Sequence, residues 1–200
     1  MANKKGLLMD ATMKVIAENG FANFSMKMVT NYANVGETLV YKHFETKENL
    51  LHECFLQYHR GLAEIIEKSG DNYFVPELDI KEKELRFKDT WYTFFDYLVQ
   101  GDYKTIFYFD YRDSIAIKNI YEQRLEFFNK HFLGLVKCLG LFEDGSSIEH
   151  SEKNRIFLSY IMDVSGIMAR RVIRDEICDS AENREIIWNM IWSGVRAYLE

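Results

Sequence analysis

The stretch SMKMVTNYANVGETLVYKHF, Ser25 to Phe44, decides how the chain is read. Ser25 is an N-cap residue type, because its hydroxyl can accept from an amide left unpaired in the first helical turn. Met26, Val29 and Ala33 then recur at helical spacing, so a short helix is expected to follow it. Asn34 interrupts that helix, and asparagine tolerates the left-handed backbone a tight reversal needs. A further helix is expected from about Gly36 to His43, with Val40 and Phe44 turned inward. Two short helices separated by three or four residues make a helix-turn-helix.

The pattern extends on both sides. Upstream, Leu8, Ala11, Val15 and Ile16 line one face of a first helix that ends at Asn19-Gly20, glycine being a natural C-cap. Downstream, Thr46 can cap a long fourth helix with the apolar stripe Leu50, Leu51, Cys54, Phe55, Tyr58, Leu62 and Ile65. Residues 69–80, which hold the single proline Pro76, read as a loop. Helical patterns resume at 81–100, break at Gly101-Asp102, return at 103–112, and run from 114 to 139. A second loop spans 140–147, and helices at about 148–177 and 181–199 complete the chain. Nine helices, no sheet and no internal repeat are expected. The fold class is therefore all-α, a three-helix head joined by a long helix to a helical body. The domain boundary is placed between 1–47 and 48–200.

Composition narrows the function. With 48% hydrophobic and 28% charged residues the 200-residue chain is globular and not disordered. No apolar run reaches the length of a transmembrane helix, and the N-terminal one is too short for a signal peptide. Cys54, Cys138 and Cys178 are odd in number and far apart, which argues against a disulfide framework or zinc knuckle and for a cytoplasmic protein. The net charge of −6 hides an asymmetry. Residues 1–52 hold six lysines and five carboxylates, so the head is slightly basic while the body is acidic. GxSxG, GxGxxG, P-loop and HExxH motifs are all missing. His52 and His59 share a helical face but stand seven residues apart, too far to hold one metal. No catalytic residue, cofactor or metal is expected, and the chain is not read as an enzyme.

Leu8-Met9-Asp10-Ala11, Ala17-Glu18-Asn19-Gly20-Phe21, Ser25-Met26, Val29, Ala33, Val35, Tyr41-Lys42-His43-Phe44 and Lys47-Glu48-Asn49-Leu50-Leu51 together resemble the tetracycline-repressor (TetR/AcrR) family of bacterial transcription regulators. The match runs without a gap from Leu8 to Leu51, and Tyr-x-His-Phe followed by Lys-Glu-x-Leu is its most specific piece. The resemblance implies a homodimer whose heads enter successive major grooves of an operator, released by a small molecule bound in the body. A recognition helix fits a major groove roughly 12 Å wide, with its N-terminal residues at the base edges. Here those are Gly36, Glu37, Thr38 and Leu39, with Lys42 one turn on. By the family pattern Tyr41, His43 and Lys47 contact phosphates, and Ser25 and Lys27 do so at the second helix. The chain departs from the family at Gly36-Glu37-Thr38-Leu39-Val40, where Ser-Lys-Gly-Thr-Leu/Ile is common: Glu37 replaces a frequent cation, and Leu39 can only touch a thymine methyl, while Thr30 replaces a preferred alanine. Glutamate beside phosphates lowers non-specific affinity, yet it can accept a bond from cytosine N4.

For the body, the resemblance implies an effector pocket. Its candidate lining is Trp91, Phe94 and Phe95, then Phe107, Tyr108 and Tyr111, then Phe127, with Arg112, Gln123 and His131 as polar anchors. The same aromatics also read as ordinary core. A hydrophobic or aromatic effector suits such walls. The last two helices are apolar on nearly every side, so a second copy is expected to cover them. The interface residues expected are Tyr160, Ile161, Val164, Ile167 and Met168 on one helix and Trp188, Ile191, Trp192 and Val195 on the other. The reading is thus a DNA-binding repressor released by a small molecule. The alternatives are a DNA-binding regulator answering a protein partner or no ligand, and a helical interaction module that binds no DNA.

Overall fold

A computed structural model describes residues 4–70, 78–114 and 152–199. Among the described residues every regular element is a helix: α1 (Lys4–Asn19), α2 (Met26–Tyr32), α3 (Glu37–Phe44), α4 (Lys47–Gly70), α5 (Ile80–Gln100), α6 (Tyr103–Arg112), α7 (Glu152–Ile173) and α8 (Ala181–Leu199). The helix expected at 114–139 and the loop at 140–147 lie outside the described residues. The chain divides into two compact units, Met1–Gly61 with Gly101–Tyr121, and Leu62–Gln100 with Glu122–Glu200. The expected 47/48 boundary therefore falls inside the first unit, and α4 contributes to both.

In the first unit local chemistry sets the helix ends. Gly20 takes φ +78° and donates its amide to the Ile16 carbonyl at 2.8 Å, closing α1. The Ser25 hydroxyl accepts from the Met28 amide at 3.3 Å and opens α2. At its other end Asn34 adopts φ +52°. The Asn34 amide donates to Asn31 O at 3.2 Å and the Val35 amide to Thr30 O at 3.0 Å, the paired bonds of a Schellman cap. This cap makes the turn of the helix-turn-helix. α3 ends in a tighter reversal, where Glu45 sits at φ +65° and the Thr46 amide reaches the Phe44 carbonyl at 2.7 Å. Thr46 then caps α4, accepting from the Asn49 amide at 3.1 Å.

The core of this unit is built by α1, α4 and α6. Leu8, Ala11, Val15 and Ile16 are buried, as are Leu50, Leu51, Cys54 and Phe55. The Tyr103 hydroxyl on α6 donates to the Asp10 carboxylate on α1 at 2.5 Å. Tyr108 stacks on Phe55 with centroids 4.8 Å apart, and its hydroxyl meets His59 Nδ1 at 2.9 Å. Gly101 leaves room for this packing: a Cβ there would strike the hydroxyls of Tyr58 and Thr105. α6 thus belongs to the unit that carries the helix-turn-helix. The family resemblance implies instead that its aromatics line a pocket in the body.

The second unit packs α5, α7 and α8. Trp91 donates its indole N–H to the Ser165 hydroxyl at 3.0 Å, which satisfies a buried donor. Trp188 lies against Trp91 and Phe87 and is fully buried. α7 stops at Ile173, four residues before the expected end, because Asp175 turns to φ +58° and a second Schellman cap forms through Val172 O and Arg171 O.

A polar cluster ties α5 to the start of α8. Arg184 grips Asp179 through two bonds of 2.5 and 2.9 Å and also bonds Asp96, while Glu185 accepts from Lys88 at 2.7 Å and Tyr92 at 3.0 Å. The hydrogen bonds from Arg184 hold the Asp179 carboxyl below its ordinary value, and those from Lys88 and Tyr92 do the same for Glu185. A depressed carboxylate pKa contributes stability that is whole above the unfolded value, about 4, and is lost as pH falls through the folded one. The urea midpoint is therefore expected to hold steady above that range and fall below it. In Arg184→Met the acid limb should be shallower than in the wild type; an unchanged limb would mean the cluster is not felt in stability. The carboxylates are part-exposed, so the difference is expected to be small.

Candidate nucleic-acid interface

α3 is amphipathic in the manner a groove-reading helix requires. Val40 and Phe44 are fully covered and anchor it to the first unit. Glu37, Thr38, Tyr41 and Lys42 point to solvent, Leu39 and His43 are half-covered, and Gly36 is the exposed N-cap. Tyr41 keeps 51% of its surface although it is large and aromatic. On α3, Glu37, Thr38 and Lys42, expected at base edges, are thus exposed together with Tyr41, expected at a phosphate. Glu37 occupies the first turn, where the helix dipole favours its charge, and among the described residues it makes no ion pair. Thr30 is buried on α2, its hydroxyl donating to the Lys27 carbonyl at 3.2 Å, so the position holds a polar side chain without an orphaned donor.

The lysines around this surface differ in what engages them. Lys5 is paired with Glu53 at 2.5 Å and lies over the Phe44 ring. Lys14 lies over the rings of Tyr32 and Tyr103, and hydrogen bonding to Tyr32 raises its pKa. Lys27 and Lys42 are exposed. Lys47 opens α4, directly after the capping Thr46, with its ammonium 4.1 Å from the centroid of the Phe24 ring. Ser25 is exposed, with its hydroxyl committed to the α2 cap. Sequence reasoning missed Phe24: it stands 23 positions from Lys47 and no spacing links the two.

Residues 8–54 match the family model of bacterial regulatory proteins, tetR family. The likeness to the tetR family thus covers the helix-turn-helix segment of this chain. Solved structures of the same fold extend over nearly its whole length. A TetR family transcription regulator from Marinobacter aquaeolei VT8 is 15% identical, with 96% of this chain and 94% of that one covered and a TM-score of 0.67. One from Shewanella sp. PV-4 is 17% identical over 96% and 97%, at 0.65. The fatty acid degradation regulator FadR from Bacillus halodurans is 16% identical over 100% and 96%, at 0.60. At these identities the likeness establishes the fold. No curated protein matches the chain. None of its described helices is long and apolar enough to cross a membrane.

In the structure the expected effector residues separate. Trp91, Phe94 and Phe95 are buried in the second unit; Phe107, Tyr108 and Tyr111 are buried in the first, packed with α1 and α4. Arg112 is half-covered, its guanidinium over the Phe109 ring, while Gln123, Phe127 and His131 lie outside the described residues. Trp91 and Phe94 border a cavity with Ile66, Phe87, Thr90, Ile161 and Met162. Its free space is about 10 Å³, the limit for one water, so it is closed to any larger guest in this conformation.

The expected interface residues separate too. Ile161, Trp188, Ile191, Trp192 and Val195 are buried within their own unit. Tyr160, Val164 and Met168 are half-covered, and Ile167 is exposed. The outer stripe of α7 is Ile156, Tyr160, Val164 and Ile167; that of α8 is Ile186, Met190 and Gly194. The stripes meet where Tyr160 lies on Gly194 and donates to the Met190 carbonyl at 2.9 Å. Four large apolar side chains there, Ile156, Ile167, Ile186 and Met190, remain 43–66% exposed.

Proposed function

We propose that the protein is a homodimeric, sequence-specific transcriptional repressor whose α3 reads operator bases and whose second unit binds a small apolar effector. The observation that carries this reading is the outward face of α3, on which Glu37, Thr38, Tyr41 and Lys42 stand exposed above a buried Val40–Phe44 anchor. Base edges are met by Gly36, Glu37, Thr38 and Leu39 together with Lys42, and phosphates by Tyr41, His43 and Lys47, with Ser25 and Lys27 alongside. Two heads serve two half-sites one helical turn apart. The second copy docks on the stripe of α7 and α8, a reading supported by the four large apolar residues that stand exposed there among the described residues.

The effector enters at the cavity bordered by Trp91 and Phe94. Thr90 and Trp91, its polar liners, donate to Arg86 O and Ser165 Oγ, so the walls favour an apolar guest. Because that space is closed, the bound conformation differs from this one. Effector binding then shifts a population away from the DNA-competent state, and a full switch takes roughly 5.5 kcal/mol of differential affinity. α4, shared by both units, is the element such a shift acts on. The test is a titration of the purified chain against DNA from upstream of its own gene and a scrambled duplex, across salt. Tighter, salt-dependent binding to the first supports the reading; no preference contradicts it.

A further inference from the structure

Lys47 is held by an aromatic ring and not by a carboxylate. Its ammonium sits 4.1 Å from the Phe24 centroid, and among the described residues it makes no ion pair. Lys5, by contrast, is bound to Glu53. The Phe24 ring is itself fixed: it is 7% exposed and tilts against Phe21 at 5.4 Å, and Phe21 meets Tyr111 of α6 at 5.9 Å. A ring face attracts a cation without neutralising it, so the ammonium keeps its full charge and its free side for an anion. A carboxylate in the same place would compete with phosphate.

We infer that Phe24 is a positioning residue for DNA binding, pre-ordering the Lys47 ammonium over its ring so that the lysine meets a phosphate at the start of α4 with little left to immobilise. The inference rests on the proposed phosphate contact of Lys47. A flexible lysine loses rotamer freedom when it binds. Docking on Phe24 takes that loss before DNA arrives, and the gain appears as affinity.

The experiment is a double-mutant cycle on the full chain with its operator duplex, read as Kd across salt. Lys47→Met should make the salt slope shallower by about 0.9 per head, since one phosphate contact is lost. Phe24→Leu keeps an apolar side chain and removes the ring. It should weaken binding about two- to five-fold per head, the size of an exposed cation–π contact. In the Lys47→Met background the same change should do almost nothing, and Phe24→Tyr should bind like the wild type. If Phe24→Leu costs as much with Lys47 absent as with it present, Phe24 merely supports the fold and the inference is overturned. It is equally overturned if Phe24→Leu binds normally while Lys47→Met loses slope, the phosphate contact then standing alone. An unchanged slope in Lys47→Met removes the contact and the inference together.

Discussion

Ile167→Glu combined with Met190→Glu is expected to turn the protein into a folded monomer that has lost its operator. Both side chains are exposed, at 43% and 51%, so the carboxylates cost the isolated chain little, within about 0.5 kcal/mol. In a dimer that closes over the α7–α8 stripe, each protomer would instead bury two unpaired charges. Several kcal/mol of desolvation per buried charge exceeds what such an interface can spare. Without a partner each head binds its half-site alone, and the loss of effective concentration is expected to weaken operator binding by about 10²–10⁴-fold. Sedimentation velocity reads the mass and fluorescence anisotropy the affinity. A double variant that stays dimeric would place the interface elsewhere; a monomer that binds at full strength would remove the need for one.

Trp188→Ala carries the largest expected loss of stability. The indole is 1% exposed, stacks on Trp192 at 5.8 Å and contacts Trp91 and Phe87. Emptying such a site costs about 3–5 kcal/mol, from lost transfer energy and the cavity left behind. That is a large part of the total for a domain of this size. Urea unfolding should show the midpoint fall accordingly. A loss under about 1 kcal/mol would mean that the ring is not central to the packing of α5, α7 and α8. Sequence alone places Trp188 at a partner's surface, so the size of this effect in dilute monomer also separates the two roles.

The helix ends of the head were legible because each is written in one or two residues. Ser25 and Thr46 cap, Gly20 and Asn34 turn left-handed, and all four do so in the structure. The exposed face of α3 was legible for the same reason: Val40 and Phe44, one turn apart, fix the inward side. Periodicity names a helix's buried face but not what lies against it. Phe107, Tyr108 and Tyr111 were seen as a stripe, and that they pack with the head became visible only through Asp10, Phe55 and His59. On α7 and α8 apolar residues surround the helix, and an all-round pattern carries no direction. Five of the nine residues expected at a partner's surface accordingly lie inside the unit. The cation–π seat of Lys47 depends on a contact across 23 residues, and nothing in the local pattern encodes it.

That α3 reads DNA is tested most directly by the salt titration on the chain's own upstream duplex. With Lys27 and Lys47 of both heads at phosphates, log K against log salt is expected to fall with a slope of about −3.6. The upstream duplex should also bind about 10³-fold or more tighter than a scrambled one. Equal affinity for both duplexes, or a slope near zero, would contradict the account.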